Sequence, residues 1–396
     1  MKWEKVKLGD VCEITSSKRI FYSEYVDDGV PFYRSKEIIE SDEGKIIENP
    51  LYISVDKYNE IKEKFGVPQT GDMLLTSVGT IGIPYIIKKK DCFYFKDGNL
   101  TWFRDFREGL NSKYLYYWIK SSEGTGTLYN TTIGSSQKAL TISALKNIKV
   151  SLPPRSVQDK IVEVVSVYDD LIENNQKQIK LLEEAAQRLY KEWFVDLCFP
   201  GHENTEIVDG VPEGWNEKTL SQVANVIMGQ SPKSEFYNSE KKGLPFHQGV
   251  GSYGVRFVMD DIYSTSYTRI AEPNSILFSV RAPVGRLNIT KNKVVIGRGL
   301  AAINQTDGCQ SYLYYLLKNK FFKDNIVGNG SIFASVSKDE LLNQKFLIPE
   351  RNLMMQFEKN VSQMDKQIEN LDSKNKKLIE ARDRLLPKLM SGEVEV

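Results

Sequence analysis

The chain has 396 residues, 41% of them hydrophobic and 11% aromatic, which is enough for two or three domains with their own cores. Its 53 Lys and Arg balance 52 Asp and Glu, so the net charge of +1 excludes a uniformly basic nucleic-acid binder and confines any such surface to local patches. Cys12, Cys92, Cys198 and Cys309 lack metal-ligand spacing, MKWEKVKLGD has no apolar signal core, and no run approaches the ~20 apolar residues of a membrane span, so a cytoplasmic protein with no membrane partner is expected.

Residues 1–154 read as a first domain of mixed α and β structure. Short apolar runs, Met73–Val78 and Tyr85–Ile87, stand between Gly, Pro and Asp punctuation. Asn49-Pro50-Leu51-Tyr52 reads as a plain turn. Asn111–Lys120 reads as a short helix with Leu115 and Trp118 on one face. A second short helix around Ser143–Lys146 and a strand Ile148–Leu152 follow, and Pro153-Pro154 closes the domain and opens a long helix.

In that helix, over 155–196, the apolar positions Ile161, Val165, Tyr168, Ile172, Asn175, Ile179, Leu182, Ala186, Leu189 and Trp193 step by four and three. Such a 3.5-residue period keeps one edge facing a partner helix. Residues 197–214 (CFPGHENTEIVDGVPEGW) read as a linker. A second domain spans 215–350, with Ser275–Val280 and Lys293–Ile296 as core strands and Gln310–Lys320 as its short helix. The chain closes on a second long helix over 351–396, whose seam is Phe357, Val361, Met364, Ile368, Leu371, Asn375, Leu378, Arg382, Leu385 and Leu389. The second seam repeats the first 196 residues on, position for position. Neither helix can bury its seam alone, so they are expected to pair as a rod of roughly 50 Å. Run antiparallel with facing numbers summing to 550, Ile161 meets Leu389, Ala186 meets Met364, Trp193 meets Phe357 and Asn175 meets Asn375. Two facing asparagines satisfy each other and pin the register.

The whole chain is thus an internal duplication. Trp3, Leu8 and Val11 correspond to Trp215, Leu220 and Val223, 212 residues on; Gly134-Ser135, Leu145, Asn147 and Pro153 correspond to Gly330-Ser331, Leu341, Asn343 and Pro349, 196 residues on. The copies agree at their edges and in the helices, and their middles differ. The expected fold is α+β: two mixed α/β domains separated by a long antiparallel two-helix coiled coil, with internal pseudo-two-fold symmetry.

A catalytic apparatus is not evident. There is no G-x-x-x-x-G-K-[ST] phosphate loop, and the only histidines, His202 in the linker and His247 in LPFHQG, build neither a triad nor a metal cluster. The loops carry binding chemistry instead. In the first domain the candidate DNA-binding residues are Lys18, Arg19, Tyr33, Arg34, Lys36, Thr76, Ser77, Thr80, Ser135, Gln137 and Lys138. In the second they are Gln230, Lys233, His247, Gln248, Ser279, Arg281, Arg286, Arg298 and Ser331, within loops that include Asn329–Phe333. Small polar residues let backbone amides approach phosphates, while Arg, Gln and Lys reach base edges; Arg281 is the first choice for a guanine reader, because guanidinium is bidentate to O6 and N7. Arg155, Gln158, Lys177, Arg188 and Arg351 are candidate partner contacts on the helices' outer faces. Pattern alone leaves open a two-headed protein–protein adaptor with no DNA role.

The sequence resembles the specificity subunit of a type I restriction-modification system. The resemblance rests on Pro212-Glu213-Gly214-Trp215 with Leu220 and Val223, Met228-Gly229-Gln230-Ser231-Pro232, Val280-Arg281-Ala282-Pro283-Val284-Gly285, and Leu152-Pro153-Pro154 with Gln158 and Ile161. The first half repeats these loosely: Trp3, Leu8-Gly9-Asp10-Val11, Pro31-Phe32-Tyr33-Arg34 and Gly79-Thr80-Ile81-Gly82. It departs at Glu13-Ile14-Thr15-Ser16 and at Ile348-Pro349-Glu350. The resemblance implies two target-recognition domains, each reading one part of a split, asymmetric site in double-stranded DNA, and helices that set the spacer. It implies a chain without catalysis or cofactor of its own. Its partners would be two methyltransferase subunits carrying S-adenosylmethionine and, through them, two restriction/translocase subunits using ATP and Mg.

Overall fold

The structure, a computed structural model, describes residues 3–42, 47, 49–134, 138–321 and 335–396. It forms two compact units, Met1–Lys177 with Asp372–Val396, and Gln178–Leu371. The helices begin where the prolines and Glu350 place them, as Arg155–Phe194 and Arg351–Ser391. The units divide inside these helices, because each stretch of seam packs on the core beside it.

In the first unit, Glu13–Thr15, Leu100–Arg104, Met73–Thr76 and Pro84–Ile86 form an antiparallel sheet in that order. Alternation along the strands feeds two cores. Met73, Leu75 and Phe103 pack with Tyr114, Leu115 and Trp118 of the short helix Ser112–Lys120, whereas Leu74, Leu100 and Trp102 pack on the other face. Asn111 caps that helix by accepting from the Lys113 amide at 2.9 Å. A second sheet, Tyr25–Val26, Leu51–Ile53, Val30–Tyr33 and Tyr94–Phe95, ends in a parallel pair.

The second unit repeats this order with Ala224–Met228, Leu300–Gln305, Ile276–Ser279 and Leu287–Ile289. Its second sheet runs Tyr237–Asn238, Tyr263–Ser264, Leu244–His247, Val294–Ile296 and Ile270–Ala271. At the edges the register repeats as the sequence offsets require: Glu4 pairs with Leu152 and Asn216 with Ile348. The middles, expected to differ, do so in sequence and, among the described residues, in the second sheet, which has four strands in the first unit and five in the second; the first sheet keeps one order. The linker also holds more structure than expected. Ile207–Val208 and Val211–Pro212 close a hairpin over Asp209-Gly210, both at positive φ (51° and 78°), the dipeptide that a two-residue turn favours.

The long helices run antiparallel within each unit. In the first, Ile161 and Val165 share a core with Leu386, Leu389 and Met390, and Asn175 Nδ2 donates to Asn375 Oδ1 at 2.8 Å, as the register sum of 550 requires. In the second, Ile179 packs with Ile368 and Leu371, Ala186 shares a core with Val361 and Met364, and Trp193 meets Phe357 edge-on at 6.0 Å. Leu182, Leu189, Leu378 and Leu385 are half-buried, while Leu386 and Met390 beside the seam are buried. A helix end that packs on a globular core buries a wider face than a coiled-coil seam. Gln158 is a correction: expected on the outer face, it is fully buried. Its amide donates to Pro153 O and Gly109 O, both at 2.8 Å, and accepts from the Asn111 amide at 2.9 Å.

Candidate nucleic-acid interface

One turn recurs in both units. After Met73–Thr76 the chain reverses over residues 77–82, and the Thr76 hydroxyl accepts from the Ile83 amide at 2.9 Å. After Ile276–Ser279 it reverses over 280–285, and the Ser279 hydroxyl accepts from the Arg286 amide at 2.8 Å. Gly82 donates to Thr76 O at 2.8 Å and Gly285 to Ser279 O at 3.0 Å. Both glycines have φ near +85°, which a side chain would strain. Ser77 N reaches Asn99 O as Val280 N reaches Gly299 O, and Leu140 N reaches Ser77 O as Val336 N reaches Val280 O. Val78 bridges Ala139 where Arg281 bridges Ser335.

Around this turn in the second unit the other candidate loops converge. In the second unit, Gly229 approaches Gly297 and Leu300 so closely that a Cβ would lie 2.1 Å from Gly297 O. The Ser231 hydroxyl donates to Gln248 Oε1 at 2.9 Å and accepts from the Arg298 amide at 3.2 Å, and Gly299 N donates to Gln248 O. Gln230, Gln248, Arg281 and Arg298 are exposed there. A cleft of about 150 Å³ lies between Gln248, Gly249, Val250, Arg281 and Gly299. Gly249 and Val250 are not among the residues the sequence singles out, since a Gly-rich stretch alone does not say what it lines. Lys233 is 82% exposed by its side chain and stands 4.0 Å from Glu235.

In the first unit, Lys18 Nζ lies over the Phe65 ring at 4.4 Å and Arg19 pairs with Asp97 at 2.9 Å. Tyr33 stacks on Phe93 with centroids 4.2 Å apart. Lys36 faces Glu40 at 3.6 Å, Thr80 is exposed, and Lys138 Nζ stands 3.5 Å above the Tyr129 ring. Arg34 is committed to Glu37: Nη2 donates to Oε1 at 2.6 Å and the Arg34 amide to Oε2 at 2.7 Å. Burial alone would raise the Glu37 carboxyl; these hydrogen bonds outweigh it and hold the group below the usual carboxylate range.

Four candidates turn inward and offer no side chain to a partner. Thr76, Ser77 and Ser279 are at most 2% exposed, with hydroxyls engaged in the turn, to Thr101 Oγ1 and to Pro283 O respectively. His247 is 1% exposed, with Nδ1 2.9 Å from Ser252 Oγ and Nε2 3.2 Å from Asp260 Oδ1. A row of Ser, His and Asp therefore does form, although no spacing in the sequence signals one. Its serine faces Nδ1 and also bonds Gly249 O, so the row braces the loop that presents Gln248. Arg286 is half-buried beside the same turn. Ser135, Gln137, Ser331 and the stretch Asn329–Phe333 lie outside the described residues. Among the described residues, no helix is long and apolar enough to cross a membrane.

The chain matches a family model described as "Type I restriction modification DNA specificity domain" over residues 1–184 and 212–381. It is 28% identical to the type I restriction enzyme MjaIX specificity subunit of Methanocaldococcus jannaschii, across all of this chain and 94% of that one. It is 24% identical to the type I restriction enzyme HindI specificity subunit of Haemophilus influenzae, across 64% of this chain and 71% of that one. The fold is shared with the crystal structure of the type I restriction-modification S subunit from M. genitalium, at 17% identity and a TM-score of 0.59, covering 98% of this chain and 96% of that one.

Proposed function

Because the chain belongs to the type I restriction-modification DNA specificity family, we propose that it reads a split, asymmetric site in double-stranded DNA, one half with each unit, and brings methyltransferase and restriction subunits to it. The observation that carries this reading is one loop scaffold built twice with different exposed side chains. A repeated frame gives two equivalent ways of meeting DNA, and unequal side chains give unequal half-sites.

Lys18, Arg19, Tyr33, Thr80 and Lys138 are the proposed contacts of the first unit, and Gln230, Lys233, Gln248, Arg281 and Arg298 those of the second. The lysines suit phosphates, which position without specifying; Gln248 and Arg281 suit base edges. The chain performs no chemistry: a methyltransferase pair supplies S-adenosylmethionine and methylates adenine, and ATP- and Mg-dependent subunits join through that pair. The long helices set the spacer. Each wrong base pair should cost ~1–3 kcal/mol of binding.

The test is co-expression with the methyltransferase partner in a host lacking the modification, followed by mapping of every methylated adenine. A single split motif methylated on both strands is expected. No defined motif, with both proteins expressed and the partner bound, would overturn the reading.

A further inference from the structure

The two turns share a backbone and differ in one reading side chain. We propose that Val78 in the first unit and Arg281 in the second occupy one specificity-determining position, which fixes the identity of one base pair in each half-site. The inference rests on the DNA-reading role proposed above.

Equivalence is set by hydrogen bonds rather than by likeness of sequence. The hydroxyl clamp at Thr76 or Ser279, the glycine reversal at Gly82 or Gly285, and the links to Asn99 or Gly299 and to Leu140 or Val336 recur in both units. Val78 and Arg281 follow the clamp by two residues, each held by an isolated antiparallel bridge, to Ala139 or to Ser335. A frame repeated so closely leaves discrimination to the side chain it carries.

Those side chains read different things. Arg281 is exposed, so the core does not require it, and it stands at the cleft beside the exposed Gln248. A guanidinium donates to guanine O6 and N7 together, which no other base offers in the major groove. Val78 has no donor. It is half-buried and borders Gly79 and Thr80, both exposed, and an apolar side chain there suits a thymine methyl. The second half-site should therefore demand a G·C pair at the position where the first favours an A·T pair.

The test maps methylated adenines for complexes carrying Arg281→Ala, Arg281→Lys or Val78→Arg. Both Arg281 variants should leave the first half-site and the spacer intact. Ala should abolish a guanine requirement at one pair of the second half-site, a discrimination of roughly 5- to 150-fold, and Lys, which reaches O6 and N7 without the planar fork, should weaken it. Lysine keeps the charge, so it should restore a phosphate contact in full but guanine reading only in part. Val78→Arg should move one pair of the first half-site toward G·C; should that half-buried site not tolerate arginine, the exposed Arg281 still decides the question. The proposal is overturned if both Arg281 variants keep the wild-type motif. It is overturned equally if Ala weakens methylation at all sites alike and Lys restores it. A wild-type complex with no defined motif would instead sink the underlying DNA-reading role.

Discussion

Arg256 is a buried cation, 3% exposed, held by groups from three parts of the second unit. Its Nη2 meets Asp365 Oδ1 at 2.5 Å, its Nη1 meets Glu183 Oε1 at 3.3 Å and the Tyr315 hydroxyl at 3.0 Å, and its guanidinium stacks 4.2 Å from the Tyr314 centroid. Burial alone would discourage the charge; the two rings and two carboxylates outweigh it. Removing one partner of such a set strands the others, so Arg256→Met should cost about 3 kcal/mol in denaturant titration, the low end for buried pairs because both carboxylates keep some solvent access. Combining it with Glu183→Gln and Asp365→Asn should recover most of that loss. A single variant as stable as the parent would show that the cluster is not coupled. Nothing in Tyr253-Gly254-Val255-Arg256 signals this role, and no local spacing links it to Glu183 or Asp365. The first unit solves the same junction differently: Asp169, 196 residues before Asp365, accepts from the Tyr117 hydroxyl at 2.7 Å and from Arg382 at 2.6 Å.

Among the elements, the long helices were the most legible, because a 3.5-residue step held over ten positions is produced by a packed helical seam and by little else. Their register was legible too, since only one alignment puts Asn175 against Asn375. The pair is buried, at 9% and 7% exposure, and the Asn375 amide also reaches Ile172 O at 3.5 Å. Asn175→Leu alone should cost about 1–3 kcal/mol, because it takes the donor from the buried Asn375 Oδ1. The double change with Asn375→Leu should restore or exceed parental stability while weakening the choice of register. Chemical denaturation of Asn175→Leu, Asn375→Leu and the double variant tests this: a double-variant loss equal to the sum of the two single losses would mean the two side chains act independently. The sheets were harder to read. Met73, Leu74 and Leu75 are all buried, so no alternation marks a face. The pairing of Val30–Tyr33 with Tyr94–Phe95 joins residues some sixty apart in sequence, which no local pattern encodes. The candidate loops could be named from composition, but their convergence depends on those pairings, and burial at Thr76, Ser77, His247 and Ser279 follows from them as well.

At the scale of the whole molecule, the duplication is what the chain has to work with. Each unit has its own core and its own copy of the turn, and two continuous helices are shared between them. If recognition lies in the units and spacing in the helices, the two properties should separate under mutation. Residues 171–177 and 373–379 face each other in the register that sums to 550, and deleting both removes the asparagine pair as a pair. Each helix then loses one heptad, ~10 Å, which is the rise of about three base pairs. A heptad restores the helix face to within ~20°. Three base pairs turn the duplex by roughly 100°. The deletion therefore corrects the distance and leaves a rotational mismatch. The mapped motif should keep both half-sites, shorten its spacer by roughly two to four base pairs, and be methylated less completely than the parental site. Altered half-sites, or an unchanged spacer with full methylation, would place the control of spacing in the recognition units rather than in the helices.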